Sequence, residues 1–330
     1  MKRKTRRAFL CFFSLFGILL FLEYRIPAFA LFVDRLVGAS LRTRLALVFS
    51  AVRFSIAEWL LLGLPILFLP FVLVAILCAR SERGTRGLLC VLFSFLLAFF
   101  AVYVLAFAPG KHRTTLEDSL ALSKSPPTGD EVLSCILWLS SLASSEIPYP
   151  GDEETEEALR KALSEAGKRY HFLANTEVAV KESTTALFLR MGYFGLYAFP
   201  FGEITLTSAC PAATRTFTLA HEMAHASGFS REEEADVIAL LSCLDSHDPY
   251  LISAAATGML GRAMCALYEN SPALWERASA ILPDTARREL SEAGEVYEHG
   301  MTEAGVAVAE DYGAALRLLC AVYRARSGTE

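Results

Sequence analysis

The chain has 330 residues, 54 % of them hydrophobic, with a mean hydropathy of +0.39 and a formal net charge of −5. Such a composition is too apolar for an ordinary water-soluble enzyme, and the excess is concentrated in the first third. No internal repeat, Gly-rich phosphate loop or basic aromatic patch is present, so nucleic-acid and nucleotide binding have no support.

Three apolar runs come first. Ala8–Leu22 follows Lys2, Arg3, Lys4, Arg6 and Arg7, Trp59–Leu77 gives 19 residues without a charge, and Gly87–Phe107 gives 21. The last two are long enough to span a hydrocarbon core of about 30 Å. The first is short, and Ala28-Phe29-Ala30 resembles a signal-peptidase site. Glu23 and Arg25 lengthen and charge the segment before it, so an uncleaved first span is expected. The basic amino terminus and the loop carrying Arg80, Arg83 and Arg86 belong on the cytoplasmic side by the positive-inside rule. The fold expected is therefore mainly α, with a membrane domain over 1–110 and an extracytoplasmic catalytic domain over 111–330. Arg25, Arg35, Arg42, Arg44 and Arg53 conflict with this orientation, and an amphipathic helix lying in the interface over Glu23–Glu58 would accommodate them.

Lys111–Pro127 reads as a linker with a first short helix. Thr128 or Asp130 can cap a helix running to about Ala143, with Val132, Cys135, Ile136 and Leu139 at helical spacing. Tyr149-Pro150-Gly151 is a turn, and acidic Asp152–Glu157 opens a helix to about Leu173. Glu177–Val180 and Ala186–Arg190 are strand-like, Gly192, Gly195, Pro200 and Gly202 punctuate, and Glu203–Thr207 alternates like a half-exposed strand. A strand just ahead of a metal-binding helix can line the cleft and pair with an extended substrate. That makes Gly202 and Glu203 candidate substrate contacts, with a structural role as the alternative for Glu203.

The chemistry is concentrated in Thr218–Gly228, on a helix starting near Pro211 or Thr214. It contains His221-Glu222-Met223-Ala224-His225, the His-Glu-x-x-His pattern. Residues four apart share a helical face, so both imidazoles can converge on one Zn²⁺, and Glu222 can take a proton from the attacking water. Gly228 stops the helix, and Ser230 with Glu233 fits a capping box for the next one. Glu232 is then the choice for third ligand and Asp236, four residues on, for the acceptor that orients a ligand His. The small Ala235 and Ala239 let the two helices approach, while Glu233 and Glu234 remain alternative ligands. Arg231 stands where a metzincin carries its third His, so the site reads as a Glu-type zincin.

Helices continue over Asp236–Leu244, Leu251–Tyr268, Pro272–Leu282, Asp284–His299 and Gly305–Tyr323. His247 and Tyr250 are candidates to stabilise an oxyanion, with a loop His and a packing Tyr as the alternative. Five cysteines lie outside the apolar runs, an odd number without paired spacing, so neither a Cys metal site nor a disulfide framework is indicated.

The chain resembles an uncharacterised bacterial membrane-protein family, domain of unknown function 3810. Phe54-Ser55-Ile56-Ala57-Glu58, Phe199-Pro200-Phe201-Gly202-Glu203, the His221–His225 motif, Arg231–Asp236 and Tyr312-Gly313 carry the resemblance. The family usually has Glu-Ala-Asn where this chain has Glu234-Ala235-Asp236. The Asp form is similar to the run in HtpX-like membrane-embedded peptidases, whose ligand Glu falls at Glu232. Ile252-Ser253-Ala254 departs from the family's Tyr-Ser-Gly. The resulting expectation is a multi-pass cell-membrane zinc metallopeptidase acting on a peptide or protein. The rival expectation is a membrane-anchored binding or signalling module that keeps a zincin fold without turnover.

Overall fold

Pro27 is the first residue of a helix, where its missing N–H is not needed. From it the computed structural model runs α2 (Pro27–Val33), one π-helical turn (Asp34–Gly38) and α3 (Ala39–Ser50), directly behind α1 (Arg3–Arg25). The structure describes residues 3–143, 147–185, 187–302 and 312–328. Ser55 caps α4 (Ile56–Ala79) by accepting from the Glu58 N–H, and Ser81 caps α5 (Glu82–Val102) by accepting from the Gly84 N–H. After α5 come a second π-helical turn (Tyr103–Phe107) and α6 (Ala108–His112). Each of the three apolar runs is thus helical. Ile66, Leu73, Val91 and Phe95 stay exposed on α4 and α5.

The segment expected to lie flat as an amphipathic helix does something else. Arg42 is buried and paired with Asp34 at 2.6 Å, and it also donates to the carbonyls of Ala106 (2.8 Å) and Ser227 (3.4 Å). Arg35 donates to the His171 carbonyl. Two of the arginines that conflicted with the orientation therefore hold the N-terminal arch against the C-terminal half.

That half begins with α7 (Leu116–Ser119), α8 (Gly129–Leu142) and α9 (Asp152–Arg169). Thr128 and Glu131 form the capping box of α8, and acidic residues fill the first turn of α9. Next come β1 (Ala179–Glu182), α10 (Leu187–Arg190), β2 (Gly195–Ala198) and β3 (Glu203–Leu206). The sheet order is β1-β3-β2, with β1 parallel and β2 antiparallel to β3, and Val180 and Tyr197 both opposite Ile204.

Three sequence expectations change here. Leu187–Arg190 is one helical turn and not a strand, while Ala186 lies outside the described residues. Gly195–Ala198 is a strand although its glycine read as punctuation. All four residues of β3 are buried, because it is the central strand and not a half-exposed one.

The helices α11 (Ala212–Ala226), α12 (Glu232–Asp245), α13 (Pro249–Asn270), α14 (Pro272–Ile281), α15 (Asp284–Thr302) and α16 (Tyr312–Ser327) complete the chain. The expected start of the last helix at Gly305 falls outside the described residues. Met223, Ile238, Leu240, Met259 and Leu260 are fully buried where α11, α12 and α13 meet. Each such side chain contributes roughly 1.5–3 kcal/mol by burial. Among the described residues, two helices are long and apolar enough to cross a membrane, Arg83–His112 and Pro249–Asn270. The second is a core helix, mostly buried by its neighbours.

Candidate metal centre

The approach of α12 to α11 decides the site. Ala235 and Ala239 are fully buried, and without longer side chains between them the two backbones close together. The Nε2 atoms of His221 and His225 lie 2.9 Å apart, and Oε2 of Glu232 lies 3.1 Å from the first and 3.3 Å from the second. Donor atoms at about 2.0–2.1 Å from one tetrahedral centre would be about 3.3 Å apart. The donor set and its spacing therefore fit a single metal ion.

The other ring nitrogens are committed. Nδ1 of His221 donates to Oδ1 of Asp236 at 2.7 Å, and Nδ1 of His225 donates to the Phe229 carbonyl at 2.6 Å. With Nδ1 protonated on both rings, the neutral tautomer of each presents its Nε2 lone pair to the shared point. Arg262 of α13 reaches Asp236 at 3.4 Å and steadies it from behind. Arg262 carried no signal in the sequence beyond being a lone cation in an apolar helix.

The charges bear on one another strongly. Burial disfavours the imidazolium of His221, yet Asp236, Glu232 and Glu222 outweigh it and push His221 up to about 10. Burial also disfavours the Glu232 carboxylate, but the two imidazoles hold it well below the usual range. Asp236 is depressed against its own burial by Arg262 and His221. Burial raises the Glu222 carboxyl, against the pull of the two histidines. Glu222 is 7 % exposed, while the Glu232 side chain is 58 % exposed, so the cleft opens on the Glu232 side.

The backbone N–H of Tyr197 donates to Oε2 of Glu222 at 2.7 Å, so β2 lies along α11. Gly195 permits that approach, since a Cβ there would stand 2.6 Å from Cγ2 of Thr218 and 3.2 Å from Cγ of Glu222. Tyr197 was not singled out by sequence, because the contact uses only its main chain.

Residues 39–313 match the family described as "Protein of unknown function (DUF3810)". The chain belongs to that family. No curated protein and no solved structure matches it. The family's description names no activity, so the chemistry of the site rests on its residues.

The remaining candidates sit elsewhere. Glu203 is fully buried, paired with Lys181 at 2.5 Å and accepting from Ser55 and the Ala57 N–H. It ties the start of α4 to the sheet, the structural role given as its alternative. Gly202 packs on α3, where a Cβ would stand 2.6 Å from the Ala46 nitrogen. The Tyr250 hydroxyl lies 3.0 Å from Oγ1 of Thr216, early in α11, and its ring packs beside Tyr149. His247 is an exposed residue in the loop after α12.

The capping argument behind the choice of Glu232 also changes. Arg231 is the N-cap of α12 without a side-chain capping bond, and Ser230 donates instead to the Phe107 carbonyl at 3.0 Å. Glu234, one of the alternative ligands, accepts from the Leu116 N–H and pairs with Arg231, so it pins the linker.

Proposed function

We propose that this protein is a multi-pass membrane zinc metallopeptidase with its catalytic half outside the cytoplasm. The observation that carries the proposal is the convergence of His221, His225 and Glu232 on one point, with Glu222 held beside them by a strand N–H. His221, His225 and Glu232 would hold a zinc ion, which when bound supplies a Lewis acid and makes water a better nucleophile at neutral pH.

The protein's own groups do the rest. Asp236 and the Phe229 carbonyl fix the two ring orientations, so neither imidazole has to reorganise to become a ligand. Glu222 does not belong to the ligand triangle, which leaves its carboxylate to take a proton from the attacking water and pass it to the leaving amine. Burial raises its proton affinity, which suits a group that must hold that proton between the two steps. As the edge strand of the sheet, β2 offers main-chain groups other than the Tyr197 N–H to an extended peptide beside the site.

Membrane anchorage is supported by the exposed apolar faces of α1, α4 and α5, where Ile18, Phe21, Ile66 and Phe95 would otherwise meet water. Arg80, Arg83 and Arg86, between two apolar runs, support this orientation through the positive-inside rule. A reporter active only outside the cytoplasm should work when fused after Glu330 and fail at Arg83, and the reverse pattern would move the site into the cytoplasm.

Metal analysis of purified protein tests the site. One zinc per chain in wild type and in Glu222→Gln, but none in His221→Ala, is the expected result. Absence of metal from the wild type would remove the proposal. Bound zinc without cleavage of any peptide in a library would leave a binding module.

A further inference from the structure

Phe107 touches both walls of the metal cleft. Its carbonyl accepts from the Ser230 hydroxyl at 3.0 Å, and its ring stacks on Phe199 with centroids 4.9 Å apart. Ser230 lies two residues before the ligand Glu232, and Phe199 directly follows Ala198, the end of the edge strand β2. Phe107 also lies near the end of the uncharged run, which begins at Gly87 and stops before Lys111. Twenty-one helical residues rise about 30 Å, the depth of a hydrocarbon core, so that core ends close to Phe107.

The contact is not isolated. Arg231 donates to the carbonyls of Lys111 and Arg113, and a Cβ on Gly110 would stand 2.2 Å from the Gly228 carbonyl oxygen. The loop between the two metal-ligand helices is therefore seated on the exit of the third apolar helix. Two Cα steps separate Ser230 from Glu232, about 7.6 Å at most, so with the two side chains and the hydrogen bond the ligand triangle lies within roughly 18 Å of the Phe107 carbonyl.

Resting on the peptidase reading above, we infer that the substrate is a polypeptide anchored in the same bilayer, cut just outside its hydrophobic segment. An extended chain advances about 3.3 Å per residue, so the scissile bond falls no more than roughly five residues beyond that segment. Such a chain leaves the bilayer beside Phe199 and meets the edge strand β2 as it rises. Anchoring restricts the search to two dimensions and replaces a bimolecular encounter by a high effective concentration.

Full-length protein in phosphatidylcholine vesicles containing a headgroup-labelled fluorescent lipid provides the test. Cobalt bound at the site quenches fluorophores only over short distances. Wild-type protein loaded with one Co²⁺ and washed should quench the headgroup dye, and His221→Ala, which retains no cobalt, should not. Cobalt bound by the wild type with no quenching overturns the membrane-surface placement while the metal site stands. Failure to bind cobalt removes both. A peptide cleaved by the enzyme is then joined to a transmembrane anchor through four residues or through about twenty-five, or left free. The short tether should be cut at least tenfold faster than either other form. Equal rates for the free and short-tethered peptides overturn the inference and leave the peptidase intact, whereas bound metal with no cleavage of any form defeats both.

Discussion

Oδ1 of Asp236 stands 2.7 Å from Nδ1 of His221, and both side chains are buried. This pair fixes which nitrogen of His221 faces the ligand triangle. Asp236→Asn keeps the size but removes the charge and allows an N–H to face Nδ1, which favours the other tautomer. Loss of such an orienting carboxylate typically weakens metal binding 10–100-fold. Titration of the variant with a zinc indicator should show that loss with the helical content unchanged, and unaltered affinity would show that Asp236 serves packing alone.

Zinc uptake should be proton-coupled. Against burial, the carboxylates of Asp236, Glu232 and Glu222 push His221 up to about 10 in the metal-free protein, which leaves it a proton to shed at pH 7–8 before it can become a ligand. Calorimetry in buffers of different ionisation enthalpy should find roughly one proton released per zinc, and affinity should rise with pH toward 10. Metal-free stability runs the opposite way. A raised pKa contributes fully below the unfolded value of about 6.5, and that contribution is lost as pH rises through about 10. Buffer-independent binding enthalpies would refute the coupling.

Glu232 and its neighbour Glu233 give the sharpest contrast. Glu232→Ala should lose most of the zinc. Glu233 makes no cap bond in the structure, so Glu233→Ala should keep the metal and change stability by no more than about 0.5 kcal/mol. Equal metal content in the two variants would show that the carboxylate of Glu232 is not a ligand.

Glu222→Gln preserves shape and can still accept from the Tyr197 N–H through its amide oxygen, but it cannot take up a proton. Stoichiometric zinc with a rate lower by about 10²–10⁴ is expected. Cleavage at the wild-type rate would exclude Glu222 as the base.

Lys181→Met should cost about 3–5 kcal/mol, because it strands the buried carboxylate of Glu203. Lys181→Met with Glu203→Gln should recover most of that loss, measured by thermal unfolding of the detergent-solubilised protein. A single variant as stable as wild type would mean that Ser55 and the Ala57 N–H alone suffice for Glu203.

Local placement was legible in the sequence, and long-range closure was not. His221, His225, Glu232 and Asp236 could be placed on shared faces because helical spacing is a short-range rule. The reason given for Glu232 was nevertheless mistaken, since Ser230 turns to Phe107 instead of capping α12. A capping pattern cannot register that a carbonyl from another segment competes for the same hydroxyl. Glu203 looked like a cleft residue because it precedes the metal-binding helix, and only the fold shows Lys181 and Ser55 meeting it. Strand β2 escaped for a related reason. Gly195 weakens a strand by itself, yet it is what lets this strand lie against Thr218 and Glu222.

Arg42 reaches across the molecule to the end of the metal-binding helix, donating to the Ser227 carbonyl, and a Cβ on Gly228, at φ +97°, would stand 2.7 Å from its guanidinium. The order of synthesis gives this contact a temporal meaning. Residues 27–50 leave the ribosome before residues 221–236, so the Arg42 guanidinium is synthesised well ahead of the Ser227 carbonyl that it meets. Swapping the C-terminal half onto another protein's anchor would leave the Ser227 carbonyl without its guanidinium and the Glu203 carboxylate without Ser55. The C-terminal half is thus no transferable cassette, since two of its buried polar groups find their partners in the first 60 residues.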